Sequence, residues 1–194
     1  WEQVPPEYCC IPLFDTRRYD MTYIMRAGTL YFNDIVSARI KGAFTGSEKK
    51  IYSANDSILM YTDIANLEVP PNEAGNVRYR QYILFDSSGN KCAVANPDYA
   101  KGDYPTVVGW PLCRMPRVDH AKVVFDKNEY LLVMQNNQNY LLSDKSGKSV
   151  MQIFHRGIVG GWNIEAMDDF APEIICGIFV FCKYIEQENE FLVV

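Results

Sequence analysis

Before residue 160 the chain alternates short apolar runs with polar breaks. In "TLYFNDIVSARIKGAFTG" two strand-like pieces flank an Asn33-Asp34 turn, and Gly42 ends the second. Three later stretches resemble one another: "KKIYSANDSILMYTDI", "RQYILFDSSGNKCAVANP" and "QNYLLSDKSGKSVMQIFH". Each has an aromatic-led apolar strand, a polar turn and a second apolar strand. Asp and Ser side chains can bond turn amides and Gly supplies positive φ, so each turn has a chemical reason. The "D-x-S-G" turns exceed two residues, which predicts a type I turn or a bulge. "AKVVFDKNEYLLVMQ" predicts a further hairpin about Asp126-Lys127-Asn128. Repeated hairpins of one kind point to a single meandering sheet and not to βαβ units. Two loops interrupt it: "NLEVPPNEAGNVR", and the Pro-punctuated run from Lys101 to His120. Hairpins of one type flank the first loop, so residues 1–194 are expected to form one domain.

The exception to the alternation is "DDFAPEIICGIFVFCKYIEQENEF", whose centre, Ile174 to Cys182, is apolar on every side. Asp168 or Asp169 can cap a helix there, Pro172 suits its first turn, and Glu173 suits the positive end of the dipole. Lys183 suits the far end. The β-branched and aromatic content leaves a buried strand as the alternative. "FLVV" suits a last strand.

The apolar run is too short to span a bilayer, which takes about 20 apolar residues. A helix that is apolar all round must be buried all round. In a β-rich chain one arrangement achieves that. It is a closed or nearly closed antiparallel β-barrel of repeated hairpins around one central hydrophobic C-terminal helix, about 170–185. The class is mainly β (α+β). Gly177 would let the wall approach the helix closely.

The segment Tyr140 to Ile185, "YLLSDKSGKSVMQIFHRGIVGGWNIEAMDDFAPEIICGIFVFCKYI", resembles the tubby C-terminal-like superfamily, which includes the tubby proteins, the phospholipid scramblases and the plant LURP-one-related proteins. The shared pattern is strand, "D-x-x-G" turn, strand, short strand, acidic turn and buried helix. "YILFDSSGNKCAVA" looks like another hairpin of that family. The resemblance covers the second half of the chain, while the first half fits as generic strands. It implies a non-enzymatic binding module that takes an anionic phospholipid headgroup or a protein partner.

Composition agrees with a folded domain: 194 residues, 48% hydrophobic and 22% charged. Net charge is −5 and pI about 5.1, which disfavours a nucleic-acid binder held by general phosphate attraction. None of the six cysteines forms a CxxC pair, so a zinc ribbon is not expected. Cys176 and Cys182 sit in the apolar run as small hydrophobes, which suits a reducing compartment. "WEQVPPEYCC" lacks the pattern of a secretory leader. The expected location is cytoplasmic, at most peripheral to a membrane.

Candidate chemistry is sparse. "CRMPRVDH" places Cys113, Asp119 and His120 close in sequence, but no nucleophile motif surrounds the cysteine. An enzyme with a loop-built site around residues 101–120 is the alternative function, and it requires Asp103, Cys113, Asp119 or His120 in one pocket. Calcium at Glu165, Asp168, Asp169 and Glu173, suggested by the scramblase resemblance, competes with a plain helix cap. "RGIVGGW" lacks the Lys-Ser or Lys-Thr of a phosphate loop and predicts a tight turn. No catalytic residue, metal or cofactor is expected.

Cations concentrate early, in "ARIKGAFTGSEKK". Arg39, Lys41, Lys49 and Lys50 form the candidate patch for an anionic headgroup. The competing role for these residues is a solvated strand edge protected by lysines.

Overall fold

The computed structural model of the chain describes residues 19, 21–42, 46–67, 79–99, 118–136, 138–167 and 170–190. The strands follow chain order: β1 (Met21–Arg26), β2 (Thr29–Phe32), β3 (Ile35–Lys41), β4 (Lys49–Ser53), β5 (Ile58–Asn66) and β6 (Arg80–Asp86). Then come β7 (Lys91–Tyr99), β8 (Val118–Phe125), β9 (Asn128–Asn136), β10 (Asn139–Asp144), β11 (Ser149–His155) and β12 (Trp162–Ala166). Helix α1 (Pro172–Glu190) follows. Every strand pairs antiparallel with its neighbour in sequence, and β1 pairs with β12 from Met21↔Ala166 to Met25↔Trp162. That last ladder closes the sheet into the expected barrel and leaves no strand edge open.

Turn chemistry sets the connections. Asn33 and Asp34 both have positive φ (49° and 62°), as do Asp126 and Lys127 (45° and 62°). These are two-residue turns whose twist matches the strands they join. Phe125 pairs with Asn128, so Asn128 opens β9 and is not part of the turn. The three look-alike hairpins share one turn. Asp86 Oδ1 accepts from the amides of Ser88 and Asn90, and Asp144 Oδ1 accepts from those of Ser146 and Lys148. In the first hairpin Ser53 Oγ accepts from Asn55 and Ser57 in the same way. The left-handed position holds Gly89 and Gly147 in two of them and Asp56 in the third. Each turn is followed by a register shift, the predicted bulge.

Inside the barrel runs α1. Ile174, Ile175, Cys176, Ile178, Phe181, Cys182 and Ile185 are all buried, on every side of the helix. Fully burying one such Ile or Phe side chain is worth about 1.5–3 kcal/mol, so the helix is the main partner of the strands' inner faces. Those faces contribute Tyr23, Met25, Leu30, Tyr82, Leu84 and Met151, among others. The strand alternative for residues 174–182 is therefore replaced by a helix.

The helix ends differ from expectation. Ala171 provides the carbonyl that Ile174 and Ile175 amides bond to, and Pro172 and Glu173 occupy the first turn as anticipated. Asp168 and Asp169, the expected caps, lie outside the described residues. At the other end α1 continues through the polar "IEQENE" to Glu190, past the expected limit near 185. Lys183 is consequently internal to the helix and not at its end. "FLVV" also lies outside the described residues.

The barrel has two distinct ends. Where α1 begins, the turns at 33–34, 53–57, 86–90, 126–127 and 144–148 connect the strands. Where α1 leaves, strands β1, β3, β5, β7, β9 and β11 end.

Candidate functional site

Side-chain alternation along β3 and β4 decides what the basic patch can be. Arg39 and Lys41 point outward, and the register sets Arg39 opposite Tyr52 and Lys41 opposite Lys50. Those four side chains share one outer face. Arg39 Nη1 and Lys41 Nζ reach the same oxygen, Asp56 Oδ1, at 3.4 and 3.1 Å. Lys41 also lies 4.6 Å from the centre of the Tyr52 ring. The hydrogen bond from Lys41 and its charge hold the Asp56 carboxyl below its ordinary pKa. Lys50 pairs with Glu48 at 3.3 Å.

Lys49 does not join this face. It shares the parity of inward-facing Ile51, is 9% exposed, and donates to the Gly46 carbonyl at 2.6 Å. Burial lowers its pKa. The structure thus brings together three of the four sequence candidates, Arg39, Lys41 and Lys50, and turns the fourth inward.

The enzyme candidates divide similarly. Asp103 and Cys113 lie outside the described residues. Asp119 and His120 do meet, with Nδ1 of His120 2.5 Å from Asp119 Oδ1 and Nε2 3.1 Å from Asp98 Oδ2. Both imidazole nitrogens face carboxylates on the outer wall, and neither is directed at a nucleophile among the described residues. Cys176 and Cys182 are buried in the core, and burial pushes both thiols up, away from the reactive thiolate. Of the calcium candidates, Glu165 lies in β12 and Glu173 in the first turn of α1. No group of three His, Cys, Asp or Glu among the described residues is arranged to hold a metal ion. No described helix is long and apolar enough to cross a membrane.

The end where α1 leaves the barrel carries features that the sequence reading missed. Polar residues fasten the helix there. Glu188, 2% exposed, accepts from Arg80 Nη1 at 2.9 Å. The Asn189 carboxamide bonds both the amide and the carbonyl of Val118. Tyr140 donates to the Cys182 carbonyl and to Glu186, and Glu186 also receives Lys183. Lys183 lies 3.9 Å from the centre of the Trp162 ring. Tyr184, deeper in the barrel, shares hydrogen bonds with Thr62 Oγ1 and the Ser47 carbonyl.

Beside Trp162 the β11–β12 connection forms the tight turn predicted for "RGIVGGW". A single 3-10 turn, Gly157–Val159, is braced by bonds from the Gly160 amide to the Gly157 carbonyl and from the Arg156 amide to the Gly161 carbonyl. Gly161 is required here: φ is +80°, and a Cβ would lie 2.5 Å from the Met25 carbonyl oxygen. At its tip Ile158 and Val159 are 108% and 70% exposed. Nothing local in the sequence distinguishes these two from apolar residues that the fold covers.

Comparison with family models, with curated proteins and with solved structures finds no match. The site must therefore be argued from its own chemistry, since a fold alone assigns no function.

Proposed function

We propose that the chain is a non-catalytic binding module that recognises an anionic phospholipid headgroup through the outer face of β3 and β4. The observation that carries this reading is the convergence of Arg39 and Lys41 on a single carboxylate oxygen, with Lys50 directly across the strand pair. Cations already arranged around one anionic oxygen suit a phosphate, which offers three such oxygens. Asp56 holds that place in the free protein and is the group a headgroup phosphate would displace. The resemblance of residues 140–185 to the tubby-like superfamily supports the same reading. So does the occupied barrel axis, which leaves recognition to the outer surface and the loops. The corresponding location is the cytoplasmic surface of a membrane, where anionic lipids concentrate.

Flotation with phosphatidylcholine vesicles, with and without a phosphoinositide, tests the proposal. The wild-type chain should float only with the phosphoinositide vesicles. Each surface cation is worth about 1 kcal/mol against an anionic membrane, so replacing Arg39, Lys41 and Lys50 by Ala should weaken binding by about a hundredfold. Asp56→Asn should strengthen it. Equal binding by the wild type and the triple variant would remove this face as the site. Failure of the wild type to bind any vesicle would point to a protein partner.

A further inference from the structure

The β11–β12 turn displays two features that the headgroup reading does not use. One is apolar. Ile158 and Val159 project from a turn whose glycines and backbone bonds fix its shape, and neither side chain is buried against the barrel. The other is electrostatic. Arg156 opens this turn, and Arg26 Cγ is 3.0 Å from where a Cβ on Gly161 would be. Neither arginine forms a salt bridge with a described residue, whereas the other two described arginines, Arg39 and Arg80, do. One Arg156 nitrogen, Nη1, is buried without a hydrogen-bond partner.

We infer that this turn is a wedge that inserts into the interfacial layer of an anionic lipid surface, with Ile158 and Val159 entering the acyl boundary and Arg26 and Arg156 meeting the phosphates above it. Three arguments favour lipid over protein. A stable protein interface needs about 800 Å² from each partner, far more than two side chains offer. The feature is a convex tip, which a fluid layer accommodates without a preformed pocket. Unpaired arginines beside an apolar tip match the order of groups met on entering a bilayer: phosphate first, hydrocarbon next.

Topology relates the turn to the headgroup face. The β11–β12 turn adjoins the β1–β2 turn through Gly161 and Met25, and the Gly28 carbonyl accepts from the Ile40 amide in β3 at 2.6 Å. Ile40 lies between Arg39 and Lys41. Backbone contacts thus link the wedge, through the β1–β2 turn, to β3, the strand that carries Arg39 and Lys41. The wedge rests on the lipid reading but uses different residues, so the two can fail separately.

The test is co-sedimentation with vesicles of phosphatidylcholine alone and of phosphatidylcholine with phosphatidylserine and a phosphoinositide. The Ile158→Asp/Val159→Asp variant should melt near the wild-type temperature, because these side chains are exposed on the turn. It should bind the anionic vesicles about tenfold or more weakly, from the lost apolar insertion. Arg26→Gln should weaken binding by about fivefold. A tryptophan introduced by Ile158→Trp should shift to shorter emission wavelength on adding anionic vesicles and be quenched by brominated acyl chains, a response that a structural role would not produce. Wild-type binding by the double Asp variant, or an unshifted and unquenched tryptophan, overturns the wedge and leaves the headgroup face standing. If the wild type binds no vesicle, both proposals fall together.

Discussion

Gly177 of α1 faces Leu84 of β6 so closely that a Cβ at residue 177 would lie 2.6 Å from Leu84 Cδ2 and 3.1 Å from Cδ1. Leu84 is fully buried and pairs with Ala93, so the leucine fills the space left by two small residues. Overpacking a dense core by one or two methyl groups costs about 1–3 kcal/mol. Gly177→Val should destabilise by about that amount. Leu84→Ala alone should cost about 2–5 kcal/mol through its cavity. The combined variant should be more stable than the sum of the two losses, because each change makes room for the other. Urea titration of the four proteins measures the coupling, and simple additivity would mean that the two residues do not share this space.

The β8–β9 turn carries strain that a glycine would remove. Lys127 has φ +62° in a two-residue turn. Left-handed backbone costs a non-glycine residue roughly 1–2 kcal/mol, and glycine's extra chain entropy costs about 0.5–1 kcal/mol. Lys127→Gly should therefore stabilise the protein by about 0.5–1 kcal/mol. Gly147→Ala is the converse. Its φ is +81° with no atom within 4 Å of the added Cβ, so the loss of about 1 kcal/mol would be backbone strain alone. Thermal melts of both variants check the pair of signs, and a lower melting temperature for Lys127→Gly would contradict the turn geometry.

Thiol chemistry reports on the same architecture. Cys176 and Cys182 are buried inside the barrel, whereas Cys92 is partly exposed on β7. Burial, and then the nearby Asp86 charge, raise the Cys92 thiol above its ordinary pKa. A raised thiol carries less thiolate at neutral pH. Its alkylation rate should keep climbing at alkaline pH, beyond the point where an ordinary cysteine of pKa about 8.5 levels off. Iodoacetamide labelling read by mass spectrometry should modify Cys92 in the native protein, and Cys176 and Cys182 only in denaturant. Native-state labelling of Cys176 or Cys182 at the denatured rate would exclude the buried helix.

Much of this fold was written in local chemistry. The Asp or Ser that accepts turn amides, with glycine in the left-handed position of two repeats, identified the hairpins at 53–57, 86–90 and 144–148. The unbroken apolar run at 174–182 implied a helix enclosed on all sides. What depended on distant partners was not legible. "IEQENE" looks like a polar tail until Arg80, Val118 and Tyr140, far away in sequence, provide partners for Glu188, Asn189 and Glu186. The cationic run sets Lys49 beside Lys50 in sequence, although its parity with Ile51 turns it inward. The exposure of Ile158 and Val159 depends on what the rest of the fold leaves uncovered, which no local pattern records.

The architecture rests on α1 being the core that the strands enclose. Ile178, in the middle of that helix, is 1% exposed. A carboxylate there would be buried with no hydrogen-bonding partner provided for it, at a cost of several kcal/mol. Domains are typically stable by only about 5–15 kcal/mol, and the lost isoleucine packing adds to the penalty. The most direct measurement is a circular dichroism melt with urea titration of Ile178→Asp beside Ile158→Asp, which places the same charge on the exposed turn. The expected result is loss of the cooperative transition for Ile178→Asp and a wild-type curve for Ile158→Asp. A soluble Ile178→Asp protein that unfolds cooperatively near the wild-type midpoint would contradict the helix-filled barrel.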